Sequence, residues 1–293
     1  MPSTRDIRRR IKSVKNTAQI TKAMQMVAAS KMRKAQQAAL AGRPYAALMN
    51  KVLAPLAETL GTFHHPLVET REVKTRCVIL VSTDKGLCGA LNSNLMREAS
   101  KFDKETTVFI TAGRKAAQFI ARSKRKLAAE FSYKDTPKFS EARAISKFAC
   151  NLYEKKEVDS VEILYTRFIS TLNQEPETKH LLPVGEVVGI KVGMGAETVH
   201  PDEALSGAAE FLYEPSQEQV LGALLPHSLN FQIYQILLEA KASEQSAQMV
   251  AMKNATDNAH QLIKDLTLEY NKLRQANITK ELLEITTASM ALA

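Results

Sequence analysis

The chain has 293 residues, enough for one large domain or two ordinary ones, and its 45% apolar content allows a sizeable core. Trp is absent and aromatics make up only 6%, which favours alanine-rich helical packing over a large β core. The net charge of +9 is concentrated: residues 1–57 carry twelve Lys/Arg against Asp6 alone, so the rest of the chain is slightly acidic and a wholly basic protein is excluded.

Thr4 to Ala41 contains neither glycine nor proline, and Ser3 or Thr4 can cap a helix start. Positions 7, 11, 14, 18, 21, 25, 28, 32, 35 and 39 follow an unbroken 4,3 spacing, and eight of the ten are apolar. That spacing predicts a coiled-coil seam. Met24, with Ile20 and Val27, lies off the seam. Gly42 and Pro44 interrupt the pattern, and Tyr45–Leu60 can resume a helix because proline is tolerated in a first turn. Residues 61–74 read as a linker. The adjacent His64 and His65 have no third ligand near them, so a loop is the reading and not a metal site.

Strands and helices are expected to alternate from 75 to 200. Strands are read at Cys77–Ser82, Thr106–Thr111, Val158–Ser170 and Lys179–Val184. Helices are read near Asn92–Lys101, after Gly113, and at Ser140–Tyr153. This order implies a small, parallel-sheet α/β domain. Gly185–Ala208 reads as a connection, and a long helix begins near Gln217 or Leu229. His227–Ala293 lacks proline and glycine and would make a helix of ~100 Å. Its apolar line runs through Ile233, Leu237, Ala240, Ala247, Ala251, Ala255, Ala259, Leu262, Leu266, Leu273 and Ala276. The fold class is therefore α/β plus a long antiparallel coiled coil of N- and C-terminal helices. The expected divisions are 1–60, 75–200 and 208–293. The C-terminal helix outruns its partner, so its end needs a cover from elsewhere.

The chemistry-bearing candidates are few. Ser82-Thr-Asp-Lys-Gly-Leu-Cys-Gly89 follows the first strand, where a phosphate-binding turn would lie, but matches neither common glycine-rich spacing and reads as a structural turn. Cys77, Cys88 and Cys150 show no paired spacing, which points to a reducing compartment and not to a disulfide or zinc site. No catalytic, cofactor or metal residues are expected. No run approaches 18 apolar residues, so no helical membrane span is expected. The basic N-terminal helix leaves a nucleic-acid binder or a basic coiled-coil scaffold open as alternatives.

Four stretches carry a resemblance. Ile11–Met32, Val81–Gly89, and the pair Glu244–Asn258 and Tyr270–Ile285 resemble, in order, the blocks of the ATP synthase γ subunit family. One departure is that Thr286-Thr-Ala-Ser289 stands where the family usually reads Ser-Gly-Ala. The resemblance implies the rotor shaft of a proton-translocating ATP synthase, itself non-catalytic. It would be peripheral at the cytoplasmic face of a bacterial cell membrane, with the α/β hexamer, the ε subunit and the ring of c subunits as partners and without nucleic acid. It further implies that Met24 and Cys88 contact an acidic β-subunit loop, with Cys88 on an exposed turn. Arg274 and Gln275 would be held higher in the hexamer, and Tyr213, Glu214 and Pro215 would lie near the ring.

Overall fold

The computed structural model describes residues 3–56, 65–133, 135–184 and 213–292. Contacts divide the chain into two compact units, Met1–Val27 with Met249–Ala293, and Ala28–Gln248. Helices α1 (Thr4–Ala41) and α6 (Gln217–Leu292) each run from one unit into the other.

In the first unit the α1 seam is the buried one. Ile7, Ala18 and Thr21 are buried, Ile11, Val14 and Gln25 half-buried, while the cations between them point outward. On α6 the matching line is Met252, Thr256, Ala259, Ile263, Leu266, Tyr270 and Leu273, spaced 4,3 without a break and buried or half-buried throughout. Thr21 Oγ1 lies 2.7 Å from Thr256 Oγ1. From that contact an antiparallel register sets Ile7 opposite Tyr270, Ile11 opposite Leu266, Val14 opposite Ile263, Ala18 opposite Ala259 and Gln25 opposite Met252. Every seam residue thus meets a seam residue, as knobs-into-holes packing requires. Thr4 opens α1 17 residues before Thr21, and Leu273 follows Thr256 by the same 17; from Arg274 to Met290 every residue of α6 is exposed. The expected seam differs here: Leu262 is 47% exposed, Ala276 is exposed, and Ala251 and Ala255 are only half-buried.

The Thr21–Thr256 contact offers a test. Each hydroxyl also reaches a carbonyl of its own helix, Ala18 and Met252 respectively. Thr21→Val or Thr256→Val alone should cost about 0.5–1.5 kcal/mol, and the double substitution clearly less than the sum, since it removes donor and acceptor together. Urea unfolding of the full chain measures this; strict additivity would mean that the hydroxyls do not interact.

The second unit holds a five-stranded sheet in the order β3-β2-β1-β4-β5, from β1 (Arg76–Val81), β2 (Thr107–Ala112), β3 (Lys126–Phe131), β4 (Ser160–Phe168) and β5 (Gln174–Leu182). The apolar run Cys77–Val81 is buried on both sides, as suits a central parallel strand. On one face Val78, Leu80, Phe109 and Leu164 pack with Leu95 and Ala99 of α3 (Leu91–Ser100) and Ala116 and Ile120 of α4 (Arg114–Arg122). On the other, Cys77, Ile79, Ile110 and Ile163 pack with Ala142, Ile145 and Tyr153 of α5 (Phe139–Glu154), and with Leu229, Ile233 and Leu237 of α6. Ala46, Met49 and Leu53 of α2 (Arg43–Leu56) cluster with Leu221, Leu225 and Phe231 of α6.

Three readings change. The sheet is not wholly parallel, because β5 pairs antiparallel with β4 as a hairpin. Its residues are Gln174–Leu182, with Pro176 tolerated on an edge, and not Lys179–Val184. Strand β3 was not foreseen; it is the opposite edge and is largely exposed. Helix α6 begins at Gln217, the earlier of the two expected starts, and carries Pro226 inside it. The expected Gly185–Ala208 connection and His64 lie outside the described residues.

Candidate functional site

The chain leaves β1 at the point where the strand order reverses, between β1 and β4, the place where open α/β sheets commonly seat a ligand. Here the turn after β1 is consumed internally. The first-turn amides of α4 are satisfied one by one: Arg114 N donates to Asp84 Oδ1 (3.0 Å), Lys115 N to the Thr83 carbonyl (3.1 Å), and Ala116 N to Ser82 Oγ (2.8 Å). Those are the donors that would otherwise bind a phosphate at a helix N-terminus. The Tyr133 hydroxyl donates to the Ser82 carbonyl at 2.9 Å, and Asn92 Nδ2 reaches Thr83 Oγ1 at 2.8 Å and Cys88 Sγ at 3.3 Å. The segment is a structural knot.

Cys88 does not sit exposed on this turn as expected; it is 3% exposed. Burial, and then the nearby Glu244 carboxylate, push its thiol pKa up, away from nucleophilic character. The residue that the turn presents outward is its neighbour Leu87, 60% exposed with φ 68°.

Against the same end of the sheet lies an unusual stretch of α6. Lys241, Ala242, Ser243, Glu244, Gln245 and Ser246 are all buried, though five of the six are polar. Such a run needs partners, and among the described residues Lys241, Glu244, Ser246 and the Gln245 amide nitrogen have them, while Ser243 Oγ and Gln245 Oε1 do not. Lys241 Nζ lies 2.8 Å from Glu244 Oε2 and 3.4 Å from Asp135 Oδ1, while Lys31 Nζ of α1 lies 2.6 Å from Asp135 Oδ2. The Lys241 ammonium also stands 5.7 Å from the Tyr133 ring centroid. Burial raises the pKa of Glu244 despite the adjacent ammonium, and the hydrogen bond from Lys31 lowers that of Asp135. A second tether lies at the β4–β5 hairpin. Glu239 Oε1 accepts from Phe168 N at 3.2 Å, and Ser246 Oγ donates to the Thr171 carbonyl at 2.9 Å. Neither tether was anticipated, because their residues are far apart in sequence; the one available signal was the polar run 241–246 directly after the apolar stretch that ends at Ala240.

The residues marked by resemblance fall in separate places. Met24 is half-buried on α1, and Arg274 and Gln275 are exposed directly after the last half-buried seam residue, all in the unit of residues 1–27 and 249–293. Cys88, Tyr213, Glu214 and Pro215 belong to the other unit. There the Tyr213 hydroxyl donates to the Val52 carbonyl at 3.2 Å, and Glu214 and Pro215 are exposed. Among the described residues no group of three His, Cys, Asp or Glu side chains is placed to hold a metal, and no helix is long and apolar enough to cross a membrane.

A family model described as ATP synthase matches residues 3–292. The ATP synthase gamma chain of Opitutus terrae is 50% identical, and that of Methylacidiphilum infernorum 46% identical, each alignment covering 100% of both chains. The chain belongs to the ATP synthase gamma chain family, and as such it is a non-catalytic subunit of that enzyme. Solved structures share the fold. A chain of the Euglena gracilis mitochondrial ATP synthase aligns with TM-score 0.67 and 20% identity over 99% of this chain and 94% of its own. One from the central stalk and c-ring of the Tetrahymena thermophila enzyme aligns with TM-score 0.60 and 24% identity over 80% and 99%.

Proposed function

We propose that this chain is the central shaft of a rotary, proton-driven ATP synthase, passing torque between a membrane ring of c subunits and a catalytic α/β hexamer. Membership of the gamma chain family over nearly the whole length supports this. The observation that carries it is the end of α6. Past Leu273 the helix has outrun α1, yet Ile278, Leu282, Leu283, Ile285 and Met290 are 48–80% exposed. A helix with that much bare apolar surface is built to be covered by other chains. The bore of the hexamer is the cover in this reading. Arg274 and Gln275, at the start of the bare stretch, are contacts within it. Met24 and the Leu87–Cys88 turn meet the acidic loops of successive β subunits, and Tyr213, Glu214 and Pro215 lie toward the ring. The ε subunit binds the α/β unit, and the whole is peripheral at the cytoplasmic face of the cell membrane. The excess of cations in residues 1–57 suits rotation among acidic loops, because a diffuse field attracts without one fixed partner.

Affinity purification of the tagged full-length chain from solubilised membranes tests the reading. The α, β and ε subunits should come down with it, and the purified chain should hydrolyse no ATP. Recovery without α and β, or ATP turnover that survives removal of every trace of β, would overturn it.

A further inference from the structure

We infer that Asp135 is a positioning residue for torque: with both carboxylate oxygens engaged, it locks α1 and α6 to the α/β sheet so that neither helix turns without it. This rests on the rotary reading above. If the shaft carries torque, the load crosses from the two helices to the sheet within residues 28–248. Most of that boundary is apolar, through Leu229, Ile233 and Leu237 on α6. Packed apolar faces can slide past one another in shear. Directional, charge-assisted hydrogen bonds hold a defined geometry instead.

Asp135 follows β3, the edge strand, and bridges two ammonium groups on two different helices. Oδ2 takes Lys31 of α1 at 2.6 Å, and Oδ1 takes Lys241 of α6 at 3.4 Å. Lys241 is anchored in turn by Glu244 at 2.8 Å, and their side chains are only 5% and 10% exposed, so this part of the bridge is shielded from solvent. Helix α6 has its second tether at Glu239 and Ser246. Helix α1 has no equivalent: among the described residues, Lys31–Asp135 is the one side-chain hydrogen bond or ion pair joining it to the α/β elements. The Lys31–Asp135 pair is itself partly exposed, so it contributes little to folding stability. Its removal should therefore affect transmission more than assembly.

The experiment uses the whole membrane-bound complex reconstituted with full-length variants, reading ATP hydrolysis and ATP-driven proton pumping together. Asp135→Asn and Lys31→Gln should keep hydrolysis near the wild-type rate while the protons pumped per ATP fall clearly below the wild-type ratio. Asp135→Glu and Lys31→Arg, which keep the charge, should restore most of the ratio. A packing role would not be rescued by charge alone. If Asp135→Asn fails to assemble, Lys31→Gln, at a half-buried position, decides. An unchanged ratio in Lys31→Gln, or in both neutral variants, with a wild type that pumps, overturns the inference alone. A wild-type complex that hydrolyses ATP without pumping overturns the rotary reading and the inference with it.

Discussion

Oxidation of a complex carrying Leu87→Cys and a cysteine on the acidic loop of a β subunit is expected to stop ATP turnover almost completely, and reduction to restore it. Position 87 is the outward point of the turn after β1, 60% exposed. A disulfide closes only when the two Cα atoms come within about 4.4–6.8 Å, so its formation reports a true approach. One bond between a rotating shaft and the hexamer would halt every catalytic site at once, because all are driven by the same chain. The native Cys88 thiol, buried and held by Asn92 Nδ2, should cross-link more slowly, since its raised pKa leaves less thiolate. Hydrolysis assays read beside non-reducing gels decide the matter. Complete cross-linking with undiminished turnover would mean that this chain does not rotate against β.

Gly113→Ala should be the most damaging single change to stability. Gly113 joins β2 to α4 with φ 105°, a conformation that side-chain-bearing residues rarely adopt. A Cβ there would strike the Ser82 carbonyl and hydroxyl, backbone and cap together. Strain of about 1–3 kcal/mol and a similar overpacking penalty give roughly 2–6 kcal/mol, a large part of the 5–15 kcal/mol that holds an ordinary domain. Gly86→Ala is the control: nothing lies within 4 Å of its added Cβ, and it should stay within about 0.5 kcal/mol of wild type. Urea midpoints of the two variants, with amide exchange at β1 and β2, make the comparison. Equal midpoints would remove the steric argument.

What could be read from the residues depended on whether local pattern or distant pairing set the structure. The α1 seam was legible because ten positions keep one spacing and the charges between them, Lys31 excepted, are exposed. The α6 seam was misread because Thr256 and Tyr270 stand in it while Leu262 stands outside; hydropathy alone cannot place a line that includes a hydroxyl pair. Central strands β1 and β2 announced themselves as apolar runs. Edge strands did not: charges flank the short apolar run of Lys126–Phe131, and six of the nine residues of Gln174–Leu182 are polar, since an edge needs little burial. The turn at 82–89 follows β1 as its position in the sequence suggests, but the depth of Cys88 depends on Asn92 and on residues remote in sequence. The Lys31–Asp135–Lys241–Glu244 bridge was invisible for the same reason.

The register of the coil also dictates when it can form. Residues 76–182 hold all five strands without interruption, so the sheet can close while the rest of the chain is still being made. Ile7 must wait for Tyr270, 263 residues downstream. At about 5–20 residues per second that is a delay of roughly 13–50 s. During that delay the seam of Ile7, Ile11 and Val14 has no partner on its own chain, and the like charges around it disfavour self-association. Closure of the coil therefore follows closure of the sheet. A chain that ends before Thr256 can never zip, and its open seam marks it as incomplete for the chaperones and proteases of the cell.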